Sequence, residues 1–304
     1  MADQYLRKVS LIAGSASETI DLSELRIVFN VRQWDIQTPN YTWIRVYNLS
    51  DATAQKIQKE FTNVVLQEGY QTGNFGIIFS GTVKQVKRGR EDEVNTFLDI
   101  LAADADQSYN FGTVNLTLKA GSTPNDHVQA IAKAMGLQVG YVSPLPSTAL
   151  PRGKVLYGMG RDHLRTIAAS AGASYSLQDG KVQIISLTGY APGDAVVLTQ
   201  DTGMIGLPQQ TQDGIEVRCL LNPQIKIGTR LQINNASIQR AAKDPSLQGD
   251  LAFAFLPSIS NDGFYRTLVC NFSGDTRDND FYCDITCLAV NDTVTPGLAV
   301  KGYG

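Results

Sequence analysis

Two strand-like segments recur in the same order near the two ends of this chain, and that recurrence constrains its fold more than any other feature. Ile44-Arg45-Val46-Tyr47-Asn48-Leu49-Ser50 has a counterpart in Val217-Arg218-Cys219-Leu220-Leu221-Asn222-Pro223. Phe97-Leu98-Asp99-Ile100 is echoed by Tyr282-Cys283-Asp284-Ile285, each time after a strand and a polar turn. Short strands also match by chance, so two readings stand: coincidence, or a duplication in which two similar β domains flank two small α+β inserts. Runs 25–31, 42–47 and 76–83 are rich in β-branched and aromatic residues and read as strands. A charged stretch, Lys87-Arg88-Gly89-Arg90-Glu91-Asp92-Glu93, then forms the solvated tip of a hairpin that returns through residues 96–101. One short helix interrupts this set: Ser50 caps it, and Ala54, Ile57 and Phe61 follow at helical spacing, a face suited to closing the end of a sheet or barrel.

The pattern changes between about residues 106 and 190. Ser122-Thr123-Pro124-Asn125-Asp126 supplies a hydroxyl cap, a proline at the first helical position and an acid in the first turn. Val128, Ile131, Ala132 and Met135 then fall on one face before Gly136. Ser143-Pro144-Leu145-Pro146-Ser147 reads as a linker, after which Leu164, Ile167, Ala168 and Ala171 repeat the spacing before Gly172. Tyr175-Ser176-Leu177-Gln178 and Lys181-Val182-Gln183-Ile184 alternate around Asp179-Gly180, a dipeptide suited to a type I′ turn. Strands resume at 195–198, 214–221, 229–233, 265–272 and 280–290. The expected class is mainly β with α+β inserts: β-barrel domains over 1–105 and 191–304, and small α+β domains over 106–145 and 146–190.

At 304 residues the chain has room for about two domains or slightly more. Its 26 basic and 29 acidic residues give a net charge of -3, which disfavours a nucleic-acid-coating surface. No apolar run approaches the roughly 20 residues of a membrane helix, and the first residues lack a basic region followed by an apolar one, so no anchor or export signal is expected. The four cysteines, Cys219, Cys270, Cys283 and Cys287, form no C-x-x-C pair and read as reduced thiols in strands.

The sequence carries no recognisable catalytic motif. G-x-S-x-G, H-E-x-x-H, the phosphate-binding loop and G-x-G-x-x-G are all missing from the sequence. There are two histidines. His127 and His163 each lie near a helix start and read as surface or packing residues. Glu91, Asp92 and Glu93 form a soluble turn among Lys84, Lys87, Arg88 and Arg90, which they neutralise. Asp275, Asp278 and Asp280 lack the calcium-loop pattern and are interrupted by Arg277, so a turn with its own side-chain bonds is the simpler reading. No catalytic, cofactor-binding or metal-binding residue is therefore assigned, no cofactor is expected, and no interaction residue can be named.

Residues 198–208 (Leu-Thr-Gln-Asp-Thr-Gly-Met-Ile-Gly-Leu-Pro) and 214–223 resemble the baseplate hub proteins of contractile-tailed bacteriophages and related prophages. Asp262-Gly263-Phe264-Tyr265-Arg266, Gly274-Asp275-Thr276-Arg277, the segment Ile44 onward, Gly69-Tyr70 and Ile78-Phe79-Ser80-Gly81 extend the resemblance over nearly the whole chain. It implies a non-enzymatic homotrimeric ring in the virion, assembled in the host cytoplasm, with two tube-type β domains per subunit. Three subunits would then present six similar domains to the sixfold tail tube protein and a threefold face to the central spike protein. Other baseplate proteins are implied partners, and DNA would pass through without specific binding. Two alternatives accompany this reading: the hub of a phage-like contractile injection or secretion system, and a tail-associated peptidoglycan-binding or hydrolysing protein. Residues 117–137 resemble a LysM cell-wall-binding module but lack its second helix and Asn-rich ending, so a small bracing domain is the simpler reading.

Overall fold

A computed structural model describes residues 4, 6–15, 17–35, 38–211, 213–240, 259–260 and 262–290. Its fold is mainly β. The amino-terminal part runs β1 (Arg7–Gly14), β2 (Thr19–Asp21), β3 (Ile27–Trp34), β4 (Tyr41–Tyr47), α1 (Asp51–Lys59), β5 (Asn63–Tyr70), β6 (Phe75–Arg90) and β7 (Thr96–Ala103). The middle runs α2 (Asp106–Phe111), β8 (Thr113–Leu118), α3 (Pro124–Ala134), β9 (Gln138–Val142), β10 (Lys154–Met159), α4 (Gly160–Ser170), β11 (Ala173–Gln178) and β12 (Lys181–Ser186). The last part holds β13 (Val196–Leu198), β14 (Met204–Gln210), β15 (Ile215–Leu220), β16 (Arg230–Ile233), β17 (Gln239–Arg240), β18 (Phe264–Asp275) and β19 (Phe281–Ala289).

The first and last parts build one continuous sheet, ordered β17-β14-β15-β19-β18-β3-β4-β7-β6-β5-β1-β2, with β16 beside β18 and β13 beside β16. Period-two alternation sends Ile27, Phe29 and Val31 of β3, Ile44 and Val46 of β4, and Cys283, Ile285 and Cys287 of β19 inward. These belong to a single apolar cluster that spans both parts. The seam between the parts is β3 against β18, antiparallel from Val28 opposite Asp275 to Trp34 opposite Val269. Helix α1 begins at the Ser50 cap and buries Ala54 and Ile57, which with Phe61 close one end of this core.

The sequence echo falls on equivalent strands. In the first part Arg45 of β4 lies opposite Asp99 of β7, and in the last part Arg218 of β15 lies opposite Asp284 of β19. Asp99 in turn faces Lys87 of β6, and Asp284 faces Asn271 of β18. Both hairpins carry a β-bulge at the same step, between Val83 and Gln85 in one and between Thr267 and Val269 in the other. A bulge costs a ladder bond and bends its strand, so its recurrence at one position marks a shared strand plan rather than two chance hairpins.

The charged run at 87–90 is not a loop tip: β6 continues to Arg90, paired to Thr96, and the turn spans only residues 91–95. Polarity hides the strand because Lys84, Lys87, Arg88 and Arg90 are exposed in a stretch of β6 that pairs with β7 on one edge and, past Thr82, with no other strand among the described residues.

The middle segment packs as one unit. β8 pairs antiparallel with β10, and β12 pairs with both β11 and β9. These pairings cross the boundary expected at residue 145, and α3 and α4 bury Val128, Ile131, Leu164 and Ala168 in one shared cluster. The two stretches are therefore interleaved rather than separately packed. Helix α3 starts as expected, with Thr123 and Asp126 forming a capping box and Pro124 in its first turn. Asp179 and Gly180 both take positive φ, 52° and 71°, as a type I′ turn requires. Helix α2 and strands β1, β2, β5, β8 to β10, β14 and β17 add to the elements expected from sequence.

Candidate functional site

The residues that could carry chemistry are held in structural bonds. His127 is buried with its Nε2 3.0 Å from Ser122 Oγ, and burial, followed by the charge of Lys154, lowers its pKa. His163 is half-buried, its Nε2 3.2 Å from the Tyr157 carbonyl oxygen, and no carboxylate or nucleophile joins that contact. Asp92 Oδ1 accepts from the backbone N–H groups of Val94 (2.8 Å) and Asn95 (2.6 Å), and the Asn95 bonds hold its pKa below the usual carboxylate range. Arg90 donates to the Glu93 carbonyl oxygen at 2.7 Å, closing the same turn.

Asp275 sits at the end of β18. Burial pushes its pKa up, but the Arg26 guanidinium and the Arg277 N–H outweigh this and leave it lowered. Asp278 accepts from the N–H of Asn279, and its backbone carbonyl takes a bond from Arg7. Among the described residues, no group of three or more His, Cys, Asp or Glu side chains is arranged to hold a metal ion. The four cysteines are free and buried, with Cys270 Sγ 2.9 Å from Cys283 Sγ. The contact with Cys283, then burial, raises the thiol pKa of Cys219; burial raises that of Cys287. A groove of about 410 Å³ at the ends of the paired strands β13 and β16 is lined by Thr199, Gln232, Asn234, Asn235 and Asp262 among others. Among the described residues Asp262 is its one carboxylate, engaged by Ser260 and by the Phe264 N–H.

What the fold does assemble is a buried polar junction between the three parts. Arg266 of β18 and Asp35, just beyond β3, form an ion pair whose side chains are 1% and 6% exposed. The Arg266 guanidinium also donates to the Ser186 carbonyl oxygen (2.6 Å) and to Ser174 Oγ (3.0 Å), both from the middle segment. Ser174 donates in turn to Asp35 Oδ2 at 2.9 Å. At the far tip of the β11–β12 hairpin, Asp104 accepts from the Gly180 N–H at 2.9 Å, while burial raises its pKa to about 6. The sequence reading missed this junction. Its one signal was an arginine at a position of β18 where the alternation calls for an apolar residue.

A second arrangement is duplicated on the sheet's outer face. Arg45 Nε and Nη2 reach Asp99 Oδ1 and Oδ2 at 2.7 and 3.0 Å, with the guanidinium over the Phe97 ring. Arg218 Nε and Nη2 reach Asp284 Oδ1 and Oδ2 at 2.6 and 3.0 Å, with the guanidinium over the Tyr282 ring. Bidentate pairing with an aromatic beneath is a geometry lysine could not reproduce. This surface can bind and assemble; it presents no nucleophile with an adjacent base.

A family described as baseplate hub gp41 matches residues 8–249. A search of curated protein sequences returns no match. Similar solved structures include the 43 kDa tail protein of prophage MuSo2 from Shewanella oneidensis, at 10% identity and TM-score 0.56, covering 92% of this chain and 97% of that one. The tail protein from Neisseria meningitidis MC58 aligns at 10% identity and TM-score 0.58, over 95% of this chain and 98% of that one. E. coli c3393, a type VI secretion component described as similar to the T4 tail proteins gp27 and gp5, aligns at 10% identity and TM-score 0.57 over 97% and 80%. At such identities these structures speak for the fold alone.

Proposed function

Because the chain belongs to the baseplate hub gp41 family, we propose that it forms a homotrimeric ring that adapts a sixfold tail tube to a threefold central spike and lines part of the DNA conduit. The observation that supports this is the repeated strand plan, with its two Arg-Asp pairs and two matched bulges in one chain. Two similar β domains in each of three chains supply six similar surfaces, which is what contact with a sixfold tube requires. On this reading the domains are tube-type units over 1–105 and 191–304, braced by the middle segment, and the protein acts by assembly without catalysis. A net charge of -3 suits a conduit that DNA crosses without phosphate contacts, since such contacts produce sticking. The tube, spike and other baseplate proteins are its partners, and the virion tail is its location.

A reconstruction of the isolated tail particle tests this reading. It requires three copies of the chain at the tube's distal end, and six copies, or none, would overturn it. The fold shared with E. coli c3393 favours one second reading, the hub of a contractile injection or secretion machine. Capsid and terminase genes beside this one support the phage; their replacement by secretion genes supports the alternative.

A further inference from the structure

The repeated strand plan lets one core position be compared in the two units. Arg45 corresponds to Arg218, Asp99 to Asp284, and Lys87 to Asn271, each of the last two facing the equivalent aspartate. On the inward face beside them, Val46 of β4 therefore corresponds to Cys219 of β15, Leu98 of β7 to Cys283 of β19, and Val86 of β6 to Cys270 of β18. The first unit fills this place with aliphatic side chains: Val46 lies directly opposite Leu98, and Val86 packs against the same core. The second fills it with three thiols, Cys219 directly opposite Cys283. Packing does not call for sulfur here, since valine and leucine close the same position in the same fold.

The three sulfurs converge. Cys270 lies one step diagonally across the β18–β19 hairpin from Cys283: Cys270 faces Ile285, and Cys283 faces Phe272. Their Sγ atoms are 2.9 Å apart, and Cys219 reaches Cys283 from the strand on its other side. A covalent S–S bond is about 2.0 Å, so bond formation asks Cys270 and Cys283 to approach by roughly 1 Å.

We propose that Cys270 and Cys283 are a latent disulfide, formed within the chain when hydrogen peroxide reaches the core of the second unit. One thiol gives up its proton and its sulfur attacks the peroxide O–O bond, leaving a sulfenic acid and one water. The second sulfur then displaces the sulfenic oxygen, which departs with that thiol's proton as a second water. Two thiols and one peroxide thus become one disulfide and two waters, the peroxide taking both electrons. Burial sets the pace: it raises the Cys283 thiol pKa, and the thiolate is the reacting form, so oxidation proceeds through local opening of the hairpin. The same burial afterwards shields the bond from reductants too bulky to enter. Cys270 also faces Gln33 across the β3 to β18 seam, so the bond ties the hairpin that joins the two units. The chemistry goes beyond the proposed ring and does not depend on it. That reading supplies the occasion, because a released virion exchanges a reducing cytosol for oxidising surroundings.

The test uses full-length protein purified with a reductant, desalted, treated with hydrogen peroxide and then unfolded in urea with N-ethylmaleimide. Mass measurement should find two maleimide adducts in place of the four of the reduced chain, and digestion should release a peptide pair linked through Cys270 and Cys283. The two residues are 13 apart in sequence, and closing a loop near that size should raise the melting temperature by roughly 4–5 °C. Cys219→Val, which installs the residue the first unit uses there, should form the same link and show the same rise. Cys270→Val should keep its remaining thiols and show no rise. Four adducts after a treatment that links the urea-unfolded chain overturn the inference. So does a link from Cys283 to Cys219, or conversion to sulfinic acid with no link. None of these results touches the number of copies in the tail, so failure here and failure of the ring are read separately.

Discussion

Replacing Arg266 by methionine should destabilise the whole chain, because it leaves Asp35 buried without its counter-charge. The guanidinium is 1% exposed, pairs with Asp35 and bonds Ser186 and Ser174, so its removal undoes one ion pair and two hydrogen bonds at once. Breaking a buried pair from one side costs about 3–5 kcal/mol. The Ser174 hydroxyl stays in place to donate to Asp35, which puts the expected value toward the lower end. Unfolding entropy near 2.1 cal/mol/K per residue over a chain this long translates that loss into roughly 5–8 °C of melting temperature. Replacing both members, Arg266→Met with Asp35→Leu, should recover most of the loss, because burying two charges carries a desolvation penalty that an apolar pair avoids. Urea denaturation of the four proteins, followed by far-ultraviolet circular dichroism, closes the cycle. A single variant within about 1 kcal/mol of wild type, or a double variant no better than the worse single, would refute the account, since either result means the charges do not depend on each other.

Three further outcomes follow from buried and exposed groups elsewhere in the fold. Glu68 is fully buried, neither of its oxygens is hydrogen-bonded among the described residues, and burial raises its pKa well above the usual carboxylate value. The native state thus holds its proton longer than the unfolded chain, so stability falls as pH rises above about 4.3 toward the raised value; Glu68→Gln should show a urea midpoint whose advantage over wild type grows across that window. Removing the Arg45 side chain should cost more than removing that of Arg218, because the first pair is 22% and 14% exposed and the second 55% and 41%, and exposed pairs contribute about 0–1 kcal/mol; equal losses in urea titrations would contradict this. Thr123→Ala removes the capping box of α3 and should cost about 1 kcal/mol, whereas Thr117→Ala, on the exposed face of β8, should stay within about 0.5 kcal/mol.

The elements legible in the sequence were those whose signals are local. Ser50, Thr123 and Pro124 mark helix starts because a cap bonds within its own first turn. Asp179-Gly180 marks a turn because positive φ is a property of the dipeptide itself. The echo around Arg45 and Arg218 was visible because both copies kept the arginine, the aspartate and the aromatic that form one stacked pair. The missed features depend on partners far away in the chain. Nothing near residue 145 reveals that β8 will find β10, so one interleaved unit read as two. The basic run of β6 reads as a loop because a strand paired on one edge alone, with its side chains exposed, carries no apolar alternation. Asp35 and Arg266, separated by 231 residues, became a site only through the β3 to β18 seam.

That seam also orders events during synthesis. β18 cannot leave the ribosome until some 230 residues after β3, on the order of 12–46 s at typical elongation rates. Through that interval β3 presents an unfilled edge beside an otherwise nearly complete first unit, and the contact that finally fills it is among the least local in the molecule. A nascent chain could meanwhile be completed by β18 of a finished neighbour. The same likeness between units on which the proposed ring relies therefore makes exchange between copies its characteristic misfolding hazard, one that rises with the crowding of copies made from a single message.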